Sequence, residues 1–312
     1  MRITYRWNAR NCGAATVNKN LIRNLGLGLL TLMVLSGCAS APRWPAVADP
    51  PSGQHMPGRW VWMDLLTTDL VTAQQFYAQV FGWHFEPVVG KEDRYILVKA
   101  GDRAFAGMVQ DPRPAQRPRK AHWLGFLSVA DVDTAQRQAS AAGGATKLAP
   151  RQLPGRGQVA VLADPEGAVF GIIDADGGDP PDTFPPLDTL LWMELWAADG
   201  ERMAGFYQQL GGYQVQPRTS KSGIEEWHLA AFSYPRAGIV QVERADRASA
   251  WLPYVRVADL QATLARARAA GAEILLAPSP NIRHGQVAVI VDPLGAALGL
   301  AEWSEPATGD RQ

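Results

Sequence analysis

The chain has 312 residues, 47% of them hydrophobic and 19% charged, which suits about two folded domains and excludes a disordered polymer. The formal charge is zero, yet Arg2, Arg6, Arg10, Lys19 and Arg23 fall in the first 38 residues with no acid among them. Taking these five from the 30 bases leaves 25 against 30 acids, a net −5, so no basic excess remains to neutralise phosphates and nucleic-acid binding is not expected.

In chain order, the first predicted element is a targeting segment, residues 1–37. A basic stretch leads into Leu25–Leu35, 11 mostly apolar residues, which suits a signal-peptide core and is too short to span a bilayer. Leu35-Ser36-Gly37-Cys38 follows at once and resembles the bacterial lipobox. The resemblance implies that Cys38 carries lipid and becomes the first mature residue. The alternative is a plain secretory signal with an incidental Cys. Ala39 stands where an Asp would retain a Gram-negative lipoprotein in the inner membrane, so the expected location is the outer membrane, facing the periplasm. Cys12 is the one other cysteine, inside the signal, so no disulfide is expected in the mature fold.

Residues 38–58, rich in Pro and Ala, read as an extended tether. A first domain is expected over 59–176. Trp60–Leu66 reads as a strand. Asp69 can cap the helix that follows, whose stripe is Ala73, Phe76, Tyr77 and Val80, and Gly82 suits its left-handed end. Strands are expected at Trp83–Val89, Arg94–Lys99 and Ala104–Gln110. A proline-rich linker over 177–188 precedes a second domain over 189–304, with a tail at 305–312.

The two halves repeat. Trp62-Met63-Asp64-Leu65 matches Trp192-Met193-Glu194-Leu195, and Phe76-Tyr77 matches Phe206-Tyr207. Gly157-Gln158-Val159-Ala160-Val161 matches Gly285-Gln286-Val287-Ala288-Val289, and Asp164-Pro165 with Gly167 matches Asp292-Pro293 with Gly295. A weaker echo of Asp69–Gln74 in Asp131–Gln136 divides each half again, giving βαβββ four times.

These motifs together, in this order and duplicated, resemble the vicinal oxygen chelate superfamily of glyoxalases, extradiol dioxygenases and bleomycin-resistance proteins. The resemblance implies an α+β fold: two tandem domains, each of paired βαβββ modules forming a curved sheet around a cleft. It also implies a divalent metal held by His, Glu or Gln at set positions. Those positions here hold Trp62, Leu124 and Gly171 in the first half and Trp192, Leu252 and Gly299 in the second, none of which donates a lone pair to a metal. Gln110 and Gln241 are weak oxygen donors on the fourth strands. The expectation is no metal and no cofactor.

Of the five histidines, only His122 is expected near a cleft. His55 falls in the tether, His84 and His228 on strands away from the ligand positions, and His284 in a loop. Strand alternation sends Val61, Met63 and Leu65 toward the helix, and Trp60, Trp62 and Asp64 into the first cleft. In the second half it sends Leu191, Met193 and Leu195 to the helix, and Trp192, Glu194 and Trp196 to the cleft. A carboxylate among indoles suits a small aromatic or cationic ligand. The indoles could equally fill an unused cleft. Asp64 or Glu194 could instead serve a metal-free enzyme as a general base. The preferred reading is a metal-free, membrane-anchored protein that binds or sequesters a small molecule. The alternatives are a glyoxalase- or dioxygenase-class enzyme with divergent ligands, or a structural module with inert clefts.

Overall fold

A computed structural model describes residues 43–90, 94–111, 120–220, 223–243 and 249–304. The expected signal segment, Cys38 and the 305–312 tail lie outside the described residues.

The first half runs β1 (Trp60–Thr67), α1 (Leu70–Phe81), β2 (His84–Pro87), β3 (Tyr95–Ala100), β4 (Arg103–Gln110), then β5 (His122–Ser128), α2 (Val132–Ala141), β6 (Ala145–Leu153), β7 (Gly157–Ala163) and β8 (Val169–Ala175). The second half repeats it: β9 (Leu190–Ala197), α3 (Gly200–Gly211), β10 (Gln214–Thr219), β11 (Glu225–Ala231), β12 (Tyr234–Gln241), β13 (Ala250–Val257), α4 (Leu260–Ala269), β14 (Glu273–Leu276), β15 (Val287–Val291) and β16 (Ala297–Glu302). Each half forms one eight-stranded sheet, ordered β2-β3-β4-β1-β5-β8-β7-β6 and β10-β11-β12-β9-β13-β16-β15-β14. This is the α+β architecture of four βαβββ modules that the repeats imply.

Each helix starts at an aspartate. Asp69, Asp131, Asp199 and Asp259 accept from the backbone N–H three residues on, satisfying a donor the helix cannot. Gly82 and Gly212 end α1 and α3 at φ 70° and 66°, where a Cβ would be strained.

The halves pack through their helix-bearing faces. One core joins Met63, Leu65 and Tyr77 to Val255, Leu264 and Leu298; the other joins Leu127, Val132 and Phe170 to Met193, Met203 and Tyr207. Two reciprocal hydrogen-bond relays lock the cores. Trp123 Nε1 donates to Tyr77 Oη, which donates to Asp292 across the halves (2.9 and 3.0 Å). Trp251 Nε1 donates to Tyr207 Oη, which donates to Asp164 (2.7 and 3.0 Å). Asp164 and Asp292 also tie down their own turns, accepting from Glu166 and Ala168, and from Leu294 and Ala296. The repeated Phe-Tyr and Asp-Pro motifs thus join the halves.

Strict alternation fails at one place in each half. The β1–β5 register slips between Trp60 and Trp62, and the β9–β13 register slips at the matching point, passing from Trp192 to Leu190. A bulge inserts a residue and turns the side chains before it to the other face. Val61 therefore joins the concave-face cluster around Trp62, and Leu191 joins that around Trp192, not the helix side. Trp60 turns away from the first cleft and packs on Trp251, ring centroids 4.4 Å apart and planes tilted by 51°, against the inter-half core.

Candidate functional site

On the first concave face, β1 places Trp62 and Asp64 side by side, and the loop before β7 brings in Arg156. Asp64 Oδ1 accepts from Trp62 Nε1 (2.8 Å) and Tyr95 Oη (2.7 Å). Arg156 Nη1 lies 3.5 Å from Asp64 Oδ2, Arg156 Nη2 donates to Tyr95 Oη (2.6 Å), and the guanidinium sits 4.7 Å above the Trp62 ring. Trp62, Asp64 and the Arg156 side chain are 1%, 5% and 2% exposed. Burial pushes the Tyr95 phenol well up, so it stays protonated as a donor. The stacking cation and ion pair expected of a ligand are supplied here by Arg156.

The N-terminal segment covers this face. Residues 43–58 have no helix or strand, as their prolines suggest, but they are not a free tether. Trp44 meets Tyr95 edge-on at 5.2 Å, its N–H donates to Pro154 O (2.8 Å), and Arg156 Nε donates to Pro45 O (2.9 Å). Val47 and Ala48 are buried, and Met56 N donates to the buried Asp179 (2.7 Å). The expected 177–188 linker is likewise held: Arg59 donates to Pro180 O, and Arg236 grips Asp182 with two bonds of 2.8 Å.

The second concave face is open. A cavity of about 1,130 Å³ is walled by Trp192, Tyr254, Phe184, Tyr234 and Trp303, and Trp60 reaches its edge from the first half. Glu194, the counterpart of Asp64, accepts from Trp196 Nε1 (2.8 Å) and Tyr254 Oη (2.9 Å), and Arg283 Nη2 donates to its other oxygen. Each half therefore has a guanidinium set on the carboxylate of its central strand. Arg156 is enclosed, whereas the Arg283 side chain is 29% exposed and lines the cavity. Burial opposes the Arg283 charge, but Glu194, Tyr254 and Glu226 outweigh it and raise its pKa. Arg59, Arg218, Arg236 and Arg283 line the cavity against Asp182 and Glu226, so its wall carries a cationic excess. The indole N–H of Trp192 is buried without an acceptor, whereas that of Trp62 reaches both Asp64 and Tyr95.

Several expectations change. Trp192, Glu194 and Trp196 do share the second concave face. Trp62 and Asp64 share the first but are sealed in it, and Trp60 leaves it. Asp64 accepts two hydrogen bonds and faces Arg156, and Glu194 accepts three, one of them from Arg283. His122 opens β5 opposite Leu66, while His228 and His284 line the open cavity, contrary to the expectation that only His122 lies near a cleft. Gln110 donates to Thr68 O and Gln241 accepts from Gly200 N, both at strand ends. Leu124 and Leu252 are buried in the concave-face clusters.

The residues alternation missed are Tyr95, Arg156, Glu226, His228, Tyr254, Arg283 and the segment at 44–48. One usable signal is an arginine within two residues of each Gly-Gln-Val-Ala-Val repeat: Arg156 directly before the first, and Arg283 two residues before the second. Glu226 and His228 lie two apart on β11, and both line the cavity. Burial, against an opposing Arg283, raises Glu226; burial, then Arg218 and Arg283, lowers His228.

Paired βαβββ modules closing a curved sheet define the vicinal oxygen chelate class. The chain belongs to the glyoxalase-like domain family, whose model matches residues 60–173 and 192–300. It is 27% identical over 253 residues to "Putative glyoxylase CFP32" of Mycobacterium tuberculosis, covering 80% of this chain and 97% of that protein. It is 28% identical over 269 residues to "Anthracycline biosynthesis protein DnrV" of Streptomyces peucetius, covering 80% and 94%. Among solved structures, the fold matches a Mn(II)-bound glyoxalase from Novosphingobium aromaticivorans (TM-score 0.54, 17% identity, 79% of this chain and 82% of that one). It also matches homoprotocatechuate 2,3-dioxygenase of B. fuscum (0.57, 15%, 83% and 75%).

The metal of such enzymes does not fit the residues present. Among the described residues no three His, Cys, Asp or Glu side chains gather as a metal site. A Cβ on Gly171 would lie 2.4 Å from the Phe126 ring, and one on Gly299 would lie 2.4 Å from the Tyr254 ring. Aromatic rings therefore fill the space in which a carboxylate from either position would stand.

Proposed function

We propose that this protein is an envelope lipoprotein whose second cleft binds a planar aromatic small molecule without a metal. The observation that carries this is the contrast between two copies of one cleft: the first is filled by the chain itself, and the second is an open, aromatic-walled cavity. Its volume lies just above the usual range for small-molecule sites, roughly 300–1,000 Å³. A polycyclic ligand fits that size, and two relatives are named as anthracycline biosynthesis proteins. The cationic wall favours a neutral or anionic ligand over the cationic one that the sequence suggested.

Tryptophan fluorescence titration with 9-anthracenemethanol tests the reading. Stacking on an indole is worth about 0.5–1.5 kcal/mol beyond area burial, so Trp192→Ala should weaken binding about tenfold. An unchanged affinity in Trp192→Ala would refute the cleft as the site. Anchoring rests on Leu35-Ser36-Gly37-Cys38. A Cys38→Ala protein should leave the outer-membrane fraction, and globomycin should block maturation. A variant that stays in the outer-membrane fraction would remove the anchor.

A further inference from the structure

The first cleft holds its own occupant, the Trp44–Pro45 segment. Two features of the Trp44–Pro45 segment engage the centre of the first cleft. The indole ring packs edge-on against Tyr95, and the Pro45 carbonyl oxygen accepts from Arg156 Nε. With Tyr95 Oη and Asp64 on its other two nitrogens, all three nitrogens of Arg156 are engaged.

In the second cleft the guanidinium set on the central carboxylate, that of Arg283, pairs with Glu194 and faces the cavity over the Tyr254 ring at 5.8 Å. Its backbone is also unusual. By the repeat, Arg283 occupies the place of Gly155, whose φ of 90° suits glycine. Arg283 and His284 adopt φ of 44° and 57°, which costs non-glycine residues free energy and persists only where surrounding contacts hold it. Here turn bonds from Gly285 N to Ile282 O (3.0 Å) and from Gln286 N to Arg283 O (3.1 Å) accompany the Glu194 pair, and the guanidinium lines the cavity.

We infer that Arg283 is the ligand-recognising residue of the second cleft and that the ligand is a planar aromatic bearing an oxygen acceptor, a carboxylate or a strongly polarised carbonyl. The ring takes the place that Trp44 has in the first cleft, and the oxygen takes that of Pro45 O. Arg283 suits this role because its planar fork presents several fixed donors.

This inference rests on the aromatic-cleft reading, and three naphthalenes separate the two. At pH 7, 2-naphthoate, 2-naphthalenemethanol and 2-naphthylmethylammonium are titrated by fluorescence into the full chain, Arg283→Gln, and the double variant Glu194→Gln/Arg283→Gln. The double variant leaves no orphaned carboxylate and does not change the net charge, so it reports the local donors and not the general field. Naphthoate should bind at least tenfold tighter than the ammonium. That preference should fall below threefold in both variants, with the alcohol changed less than twofold. Equal binding of all three, or a preference that survives the double variant, overturns the inference and leaves the aromatic cleft standing. Failure of all three to bind overturns both.

Discussion

Replacing Arg156 with Met tests the claim that the first cleft is closed from within. The substitution keeps much of the stem's volume and removes the charge. It leaves the Asp64 carboxylate buried with no cation, strips a donor from Tyr95, and frees the Pro45 carbonyl. Breaking a buried pair from one side costs about 3–5 kcal/mol, because the remaining charge is uncompensated. At roughly 2–4 °C per kcal/mol for domains approaching this size, the midpoint should fall by roughly 6–20 °C. Adding Asp64→Asn should recover at least half of the loss, since the orphaned charge goes with it. Thermal unfolding reads the first effect. Limited trypsin digestion reads release of the segment: cleavage after Arg43 should accelerate in Arg156→Met, because the segment loses the Arg156–Pro45 bond. A midpoint drop under about 2 °C, or a segment that stays protected, would refute this account.

Three further outcomes are expected. Tyr77→Phe removes the hydroxyl between Trp123 and Asp292 and leaves both buried groups short of a partner, so urea unfolding should show a loss of about 1–3 kcal/mol, matched by Tyr207→Phe. Gly299→Ala should destabilise by about 1–3 kcal/mol through collision with Tyr254, and added Mn²⁺ or Ni²⁺ should not raise the midpoint of the wild type or of Gly299→Glu. The permanently anionic 2-naphthalenesulfonate should bind more tightly as pH falls from 7 toward 4.5. The raised pKa of Glu226 means that its negative charge is lost above the ordinary carboxylate range, whereas the lowered pKa of His228 delays its added charge to below 6.5. Affinity that is flat with pH, or that changes identically in Glu226→Gln, would remove Glu226 from the cleft's electrostatics.

The fold was legible because duplication and capping are local in sequence. Asp69 and Gly82 mark the helix they bound, and Asp199 and Gly212 repeat the marks. The face assignments broke where a property of the pairing intervened. A bulge adds one residue relative to the partner strand, and nothing in Trp60-Val61-Trp62 announces which face Trp60 will take. The central arginines were hidden for a different reason. Arg156 and Arg283 come from loops, where side-chain direction follows φ and ψ and not a period. The segment at 44–48 reads as tether because its composition is that of a linker. Its contribution depends on long-range contacts with Tyr95 and Arg156 that composition does not encode.

Why one copy is closed and the other open follows from a single pair of equivalent positions. A Cβ on Gly155 would stand 2.9 Å from Trp44 O and 3.1 Å from Arg43 Nε, so the first half can admit its preceding segment only with glycine there. The second half has Arg283 at that position, and its preceding segment stops at the cavity edge. Asp182 is clamped by Arg236, and Phe184 lies under Arg256 at 4.4 Å. If glycine is what permits closure, Gly155→Arg should expel residues 43–48 from the first cleft, expose the Arg43–Trp44 bond to trypsin and create a second site for 9-anthracenemethanol. A stoichiometry that stays at one ligand per chain, with Trp44 released, would show that Trp62, Asp64 and Arg156 collapse together once the segment leaves.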